Sequence, residues 1–545
     1  MNTRAIIFGL LFLQAAAHAQ SVGGTITGVV TDAAYQPIAN ATVQLTQVAT
    51  SRRRSVVSDN QGGFTIANLP PGDYRIEAGR DGYRKHVQSL ALQLNQEMQI
   101  EIPLVPGQRT DSVEVTATPA FLRTETAALG SVIDNRQITG LPLDGRNFIE
   151  LSLLLPGVVP AAPGSAGSVR GDFAVNINGT REDSNQFILD GVFNGDPKLN
   201  GIGLTPPVDA VREFEVATST SDALSGRNGG GQVNVVLKSG ANQVHGTAYE
   251  FLRNRVTDAR NFFAPRAENS PQYQRNQFGA SLGGPVIRDR TFVFADYEGR
   301  RVREGITRIT NVPTALERAG DFSRSNVYAI DPFAQAPFAG NVIPKDRLNT
   351  VGLAIAALYP LPNRNVPGQN YVSSPALGDR DDHFDLRLDH NLGASDTLSF
   401  RYSFGDRSLF EPFSASSLVA VPGFGNNVPR RAQNVVASQT HIFTPNLMND
   451  LRLGYNRIAA GVFQQNMASN LNRQVGLPSL SSNPRDFGLS QVSILGYSAL
   501  GDESHNPQHS ATSIYQISDT ATWARGKHLV RAGADLRWLQ QNAFR

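Results

Sequence analysis

From His383 to Phe404 polar and apolar residues alternate across one short polar break. Phe384, Leu386 and Leu388 fall on one face of an extended run, with His383, Asp385, Arg387 and Asp389 on the other, as a period of two requires. Asn391 to Asp396 make a turn, after which Leu398, Phe400, Tyr402 and Phe404 oppose Thr397, Ser399, Arg401 and Ser403. The pattern predicts an antiparallel hairpin with one apolar and one charged face. Similar stretches cover Thr247, Tyr249 and Phe251, then Arg275 to Arg301 in two strands flanking Ile287 to Arg290. Others cover Ala432 to Phe443, Asp450 to Arg457, Ser513 to Trp523 and Leu529 to Trp538, where Val530, Ala532, Ala534, Leu536 and Trp538 oppose Arg531, Gly533, Asp535 and Arg537. Repeated segments of about ten residues with charged inner faces mark transmembrane strands, and about nine are expected from residue 244 onward.

The connections support this. Arg288-Asp289-Arg290, Gly393 to Asp396, Pro445 to Met448 and Arg525-Gly526-Lys527 are short, whereas Val302 to Gly378, Gly405 to Arg430 and Ile458 to His509 are long, and the two classes alternate. In outer-membrane barrels short turns face the periplasm and long loops face outside. The His383 to Phe404 hairpin becomes the fourth and fifth strands, with Arg387, Asp389 and Arg401 directed at the lumen. An open sheet cannot present its edges to lipid. The remaining strands are therefore expected beyond Arg545 or in another reading frame.

The N-terminus fits export. Arg4 supplies a positive end, Ala5 to Leu13 an apolar stretch too short to span about 30 Å of hydrocarbon, and Ala17-His18-Ala19 a small-residue cleavage site, so 1–19 reads as a signal peptide. Residues 21–105 carry short β-rich stretches at Thr25 to Thr31, Ala41 to Thr46, Gly63 to Ala67, Tyr74 to Ala78 and Met98 to Leu104, separated by turn clusters, which predicts a β-sandwich. Residues 106–120 are a linker. Asn178-Gly179 and Asp190-Gly191 are tight-turn signals flanked by apolar residues that can pair as strands, and a short helix is expected from Arg146 to Leu154, stopped by Pro156-Gly157.

Composition adds little direction. The 545 residues carry a formal net charge of +2, with 50 Gly, 31 Pro and no Cys, which suits a β-rich exported chain and gives no sign of a nucleic-acid partner. The Arg52-Arg53-Arg54 run reads as a solvated loop. Gly279-Ala280-Ser281-Leu282-Gly283 matches the nucleophile-elbow spacing GxSxG, but both flanks are extended and Gly284-Pro285 blocks the helix an elbow needs, so no catalytic residue is assigned. Gly279, Ser281 and Gly283 are expected to leave room for a plug while Phe278, Ala280 and Leu282 face lipid. Gly229-Gly230-Gly231 lacks the GxxxxGK[ST] of a phosphate loop, and the His residues lack metal-ligand spacing, so neither cofactor nor metal is assigned. Asp381-Asp382-His383 and Asp385 are expected to face water at a strand entrance, where a cationic or calcium ligand is the sharper alternative.

Several of these stretches resemble known families. ITGVVTDAAYQPIANATVQL and SDNQGGFTIANLPPGDYRIEAGRDGY resemble the carboxypeptidase regulatory-like domain, a transthyretin-like sandwich without catalytic residues of its own, read here as a periplasmic spacer with glycan binding as the alternative. TDSVEVTATPA resembles a TonB box: Asp111, Ser112, Val113, Glu114, Val115, Thr116 and Ala117 form a short extended segment able to add itself to a partner sheet. A plain connector strand is the competing reading. QITGLPLDGRNFIELSLLLPGV, FAVNINGTREDSNQFILDGVFN and VREFEVATSTSDALSGRNGGGQVNVVLKSG resemble the plug of TonB-dependent receptors, giving a plug over 121–241. RNQFGASLGGP, TFVFADYEG, VPTALERAGDFS, NVIPKDRL and WARGKHLVRAGADLRW resemble the Oar-like subgroup of those receptors, giving a barrel portion over 244–545.

The resemblances imply a mainly β protein with an N-terminal β-sandwich, an α+β plug domain and a partial transmembrane antiparallel β-barrel in the outer membrane. They imply a receptor that binds an extracellular solute, such as a siderophore, glycan or peptide fragment, and imports it when the TonB, ExbB and ExbD complex displaces the plug. A surface adhesin or carbohydrate-binding protein on the same scaffold is the alternative. The ligand-binding residues stay unassigned.

Overall fold

The computed structural model describes residues 23–107, 112–115, 129–165, 168, 170, 172–199, 201–219, 226, 228–259, 272–414, 418–525 and 528–544. The expected signal peptide lies outside them. The first unit contains strands β1 (Gly24–Asp32), β2 (Thr42–Gln47), β3 (Arg53–Val57), β4 (Gly63–Leu69), β5 (Gly72–Gly79), β6 (Lys85–Leu92), β7 (Glu97–Leu104) and β8 (Ser112–Val115). They form two sheets, β4-β1-β7 and β3-β2-β5-β6-β8. Ile26, Val43, Leu45, Ile76, Leu92 and Ile102 are among the buried residues of the core between them.

Two of these strands escape the alternation rule. In β6, His86, Val87 and Gln88 are consecutively buried, so no clean period of two appears. In β3 the arginines hide the strand, and the expectation of a solvated Arg52 to Arg54 loop is corrected: Arg53 and Arg54 belong to β3, and Arg54 Nη1 donates to the Ala67 carbonyl at 2.6 Å. The long aliphatic stem lets Arg54 reach inward while its head stays hydrogen-bonded.

The second unit centres on strands β9 (Gly130–Asp134), β10 (Gln186–Leu189), β11 (Val192–Phe193), β12 (Val211–Ala217) and β13 (Gln232–Leu237), in the order β11-β10-β13-β12-β9. The β10 and β13 pair is parallel and the others are antiparallel. Helix α1 (Asn135–Gly140) opens with a capping box in which Asp134 and Gln137 satisfy each other's backbone N–H groups. The single helix expected from Arg146 to Leu154 is instead a 3-10 turn at Asp144–Arg146 and a 3-10 segment at Phe148–Leu154. Asn147 stays extended between them and caps the second through Ile149 N at 3.2 Å. The turn at Asn178-Gly179 closes with Thr180 N donating to the Ile177 carbonyl at 3.1 Å, but leads into a 3-10 turn at Glu182–Ser184 instead of a paired strand. Gly231 enters β13, a strand and not the helix of a phosphate loop.

The third unit is a nine-stranded antiparallel sheet in sequential order: β14 (His245–Asn254), β15 (Tyr273–Ile287), β16 (Thr291–Gly305), β17 (Ala376–Asn391), β18 (Asp396–Glu411), β19 (Asn426–Thr444), β20 (Leu447–Gln464), β21 (Gln508–Arg525) and β22 (His528–Phe544). Phe384 pairs with Phe404 and Arg387 with Arg401, so each strand of the opening hairpin keeps its apolar face beside the other's. Exposed Phe384, Leu388, Phe400, Leu453, Ile517 and Leu536 form the outer face. On that face, two residues beyond Phe384 and Phe404, Arg301 meets Asp382 at 2.6 Å and Arg431 meets Asp406 at 2.8 Å. Charges there mark where the hydrocarbon band ends toward the long connections.

Several strands run further than their alternation suggested. β18 continues to Glu411, β19 starts at Asn426 and β20 reaches Gln464, shortening the long connections expected at Gly405, Arg430 and Ile458. Beyond the lipid band the faces no longer divide into lipid and charge: Leu409, Asn426 and Gln464 are buried, and Gln464 donates to the Phe487 carbonyl at 2.7 Å, so the strand continues after the pattern has faded. The long connections then pack on one another: Val312, Tyr359, Val419, Val421, Phe424 and Leu500 share a buried cluster, and Tyr359 Oη donates to the Ser498 carbonyl at 2.6 Å.

Gly279 and Gly283 serve a different neighbour from the one expected. A Cβ at Gly279 would meet Tyr249 Oη, and one at Gly283 would meet His245, both on β14, so these glycines accommodate side chains of the adjacent strand instead of the plug. Ser281 sits inside β15, with its Oγ 2.8 Å from Thr247 Oγ1, and the chain continues through a turn into another strand.

The sequence contains 2 Trp, and both Trp523 and Trp538 lie on the outer face, in register with Val530 and Tyr515 respectively. In vesicles of the complete protein, with any Trp outside residues 1–545 replaced by Phe, Trp523→Phe or Trp538→Phe leaves one indole, which is expected to be quenched strongly by lipids brominated along the acyl chain. Absence of quenching for either would reverse the assigned faces.

Candidate functional site

The lumen face of the nine-stranded sheet is charged, and the five-stranded unit lies against it. Asp190 and Gly191 form the turn between β10 and β11, both with left-handed backbone (φ 49° and 82°), so Leu189 pairs with Val192 and the Asp190 carboxylate projects toward the wall. Asp190 Oδ1 accepts from Leu237 N at 3.1 Å, which ties the turn to β13. Its Oδ2 lies 2.8 Å from Arg401 Nε, and Arg387 Nη1 lies 3.4 Å from Oδ1. Arg401 is 1% exposed. Its guanidinium also donates to the Leu189 carbonyl at 3.3 Å, Ser403 Oγ at 2.6 Å and Asn434 Oδ1 at 2.6 Å. Arg452 closes the third side: it pairs with Asp450 at 2.7 Å and leaves no room for a Cβ at Gly191.

Arg387 and Asp389 extend the latch. Arg387 chelates Asp389 at 3.0 and 3.2 Å and donates to the Leu237 carbonyl at 3.0 Å, while Asp389 accepts from Ser239 Oγ of the inner unit at 2.5 Å. The expectation that Arg387, Asp389 and Arg401 look inward therefore holds in the geometry. Toward the other end Asp172 is held by Arg407 at 2.8 Å and Arg430 at 3.1 Å. Wall amides reach the inner backbone: Asn434 Nδ2 donates to the Phe193 carbonyl at 3.0 Å and Asn456 Nδ2 to that of Gly195 at 2.9 Å. On the remaining side Arg146 pairs with Asp209 and stacks over Tyr249 at 4.4 Å. Tyr249 and Phe251, part of the first alternating strand, thus face the inner unit.

The acidic cluster is corrected. Asp381 lies 3.1 Å from both His383 and Arg300, Asp382 is held by Arg301, Arg380 and Tyr297, and Asp385, 1% exposed, accepts from Ser403. The group lies within β17 and is neutralised by neighbouring strands instead of water, because pairing brings the Arg-rich second half of β16 beside it.

The linker segment is partly described. Asp111, Thr116 and Ala117 lie outside the described residues. Ser112, Val113, Glu114 and Val115 form β8, parallel to β6 in the register Lys85 to Ser112, His86 to Val113, Val87 to Glu114 and Gln88 to Val115. The sandwich in turn rests on the short-turn end of the wall and on the inner unit. Arg531 donates to Thr25 at 3.0 Å, Asn68 to Asp450 at 3.1 Å, and Asn242 N to the Ala49 carbonyl at 2.9 Å. Asn95 donates to Glu215 at 2.7 Å, and Leu94 N donates to Glu213. Burial pushes the Glu213 carboxyl up to about 7, against the lowering effects of Arg212 and the Leu94 N–H. A cavity of about 770 Å³ remains where the three units meet, lined in part by Arg54, Arg212, Lys238 and Asp389.

Asp190 was legible only as a turn. Its second role had one trace in the sequence, an acidic residue at an exposed-looking Asp-Gly turn in a chain whose wall strands carry inward arginines. Glu213 and Glu215 alternate with Phe214 and Val216 and read as an ordinary half-buried strand.

An apolar outer face, a charged inner face and a folded sheet lying against that inner face define part of a plugged outer-membrane β-barrel. The outer membrane beta barrel domain family matches residues 236–545, and the chain belongs to that family. The carboxypeptidase regulatory-like domain matches residues 25–105. The TonB-dependent transporter Oar of Myxococcus xanthus is 27% identical over 329 residues, 57% of this chain and 30% of that protein. The chain thus spans under a third of the length of this homologue. The outer membrane transporter YddB from Escherichia coli aligns with a TM-score of 0.49 at 11% identity, over 76% of this chain and 48% of that one. The siderophore receptor PirA from Acinetobacter baumannii aligns with a TM-score of 0.38 at 14% identity, over 72% and 48%. The protein is located in the outer membrane.

Asp190→Ala strips Arg401 of its buried counter-ion, a change expected to cost about 3–5 kcal/mol. Hydrogen exchange at Phe187 to Phe193 should accelerate sharply, with the wall strands unaffected, and Arg401→Met in the same chain should recover part of the loss. A second expectation concerns pH. Docked, Glu213 keeps its proton to about 7, whereas exposed it would lose it near 4.5. Its contribution is therefore full below about pH 4.5 and is lost as pH rises through about 7. The calorimetric midpoint of the sandwich should fall across that window, and Glu213→Gln should flatten the dependence.

Proposed function

We propose that the protein is a TonB-dependent receptor that binds an extracellular solute and imports it into the periplasm with the five-stranded unit as gate. The observation that carries this is the interface at Asp190: the plug meets the wall through buried hydrogen bonds and ion pairs, with Phe294, Ala432 and Ile458 as the apolar points where the wall joins its core. Such contacts exchange for water at modest net cost, whereas separating a packed core exposes apolar surface. The homology to Oar supports the reading.

Residues 111–117 are the part a periplasmic partner would grip, with TonB energised by ExbB and ExbD. β8 is short and extended, and one of its edges has no partner strand among the described residues. The solute is read as a siderophore, glycan or peptide fragment, reaching the gate from the side of the packed long connections.

The test uses cells expressing the complete protein and a panel of labelled ferric siderophore, oligosaccharide and peptide. One class is expected to accumulate only when TonB is present, and Val113→Pro should reduce that accumulation at least tenfold because proline removes a backbone donor from the strand. Accumulation independent of TonB, or none for any class, would refute import.

A further inference from the structure

A segment read by strand addition must be free to move, and here one of its edges is already in use. The path begins at the end of β7, where Arg84 N donates to the Val105 carbonyl at 2.8 Å and Gly107 N to the Gly82 carbonyl at 3.1 Å. Tyr83 and Pro106 form a bridge. After four intervening residues the chain joins the same edge again, as β8 on β6. The sandwich thus receives its own linker along residues 82–88, and β8 completes the sheet that would otherwise end in β6. Exposed strand edges invite pairing, and covering them is a usual protection.

The sandwich is also tethered. Asn68 and Arg531 join it to the wall and Leu94 and Asn95 to the plug strand β12. A pull on β8 while it remains on β6 would therefore load the sandwich and its contacts with the wall. Only when β8 leaves β6 does a pull pass along the chain to β9, the edge strand of the plug sheet.

We propose that the N-terminal sandwich is a sequestering dock for the partner-binding segment: β8 on β6 is the resting state, and a strand-adding periplasmic partner engages Ser112 to Val115 by displacing β6. This rests on reading residues 111–117 as the segment TonB grips. It gives the sandwich a role in energy coupling, as a competitor that sets how readily the segment is reached.

Residues 1–545 contain no Cys, and any Cys elsewhere in the complete protein is replaced by Ser, so that an introduced pair is unambiguous. Lys85→Cys with Ser112→Cys places two thiols at a directly paired position, within the Cα spacing a disulfide needs. The probe is the purified C-terminal periplasmic domain of TonB, and its affinity for the complete protein in detergent is measured with the pair oxidised and then reduced. Ser112→Cys alone serves as the oxidation control and Val113→Pro as the segment control. Oxidation is expected to weaken binding at least tenfold, with recovery on reduction and no response in the single variant. Equal affinity in both states would overturn sequestration, and failure of the disulfide to form would overturn the docked register. If Val113→Pro abolishes binding while oxidation does not alter it, the segment is right and the dock is wrong. If Val113→Pro binds normally, the segment reading fails and takes this proposal with it.

Discussion

The Arg401 guanidinium, 1% exposed, is the constraint around which the rest is arranged. A buried charge without partners costs several kcal/mol, so a wall strand that carries one inward must find an anion and further acceptors. No single element supplies them. Ser403 and Asn434 come from the wall, Leu189 from β10, and the counter-ion from the Asp190 turn. The plug must therefore sit with that turn at that height, and Gly191 must stay glycine for Arg452 to close over it. Such a pair adds less stability than apolar packing of the same volume, but it fixes position.

The same residues explain the outer face. Each inward charge in β17 and β18 fixes an outward neighbour one residue away, so Arg387 and Arg401 set Leu388 and Phe400 toward lipid. A slip of one residue would bury charge in hydrocarbon and leave Asp190 facing leucine. Lumen electrostatics and membrane insertion thus enforce one register, and neither could specify it as sharply alone.

This coupling is why the wall was legible and other parts were not. Where one face meets lipid and the other charge, as from His383 to Phe404, two residues per repeat can be read directly. Above the band the strand ends are partly buried under the long connections, as at Asn426 and Gln464, and the ends of β18, β19 and β20 carried no such mark. β3 and β6 of the sandwich were missed because Arg54 folds its stem inward and because His86, Val87 and Gln88 are buried in succession, the last covered by a strand that arrives from the linker. The inward direction of Arg387 and Arg401 could be read, but their partner could not: Asp190 lies about two hundred residues away in the chain, and only the fold sets it between them.

The sandwich shifts what the latch must resist. With Asn95 on Glu215 and Asn68 on Asp450, it contacts both the plug sheet and the wall that holds it. Asp450 is itself the partner of Arg452, which covers Gly191, so the sandwich reaches within one ion pair of the latch. A force arriving through β8 before it leaves β6 would be shared among these contacts and the latch would not open. A force arriving after release would reach β9 at the sheet edge, across β12 and β13 from β10, and strain the Asp190 turn through Leu237. The order of the two events, strand release and then latch failure, follows from which contacts lie in series.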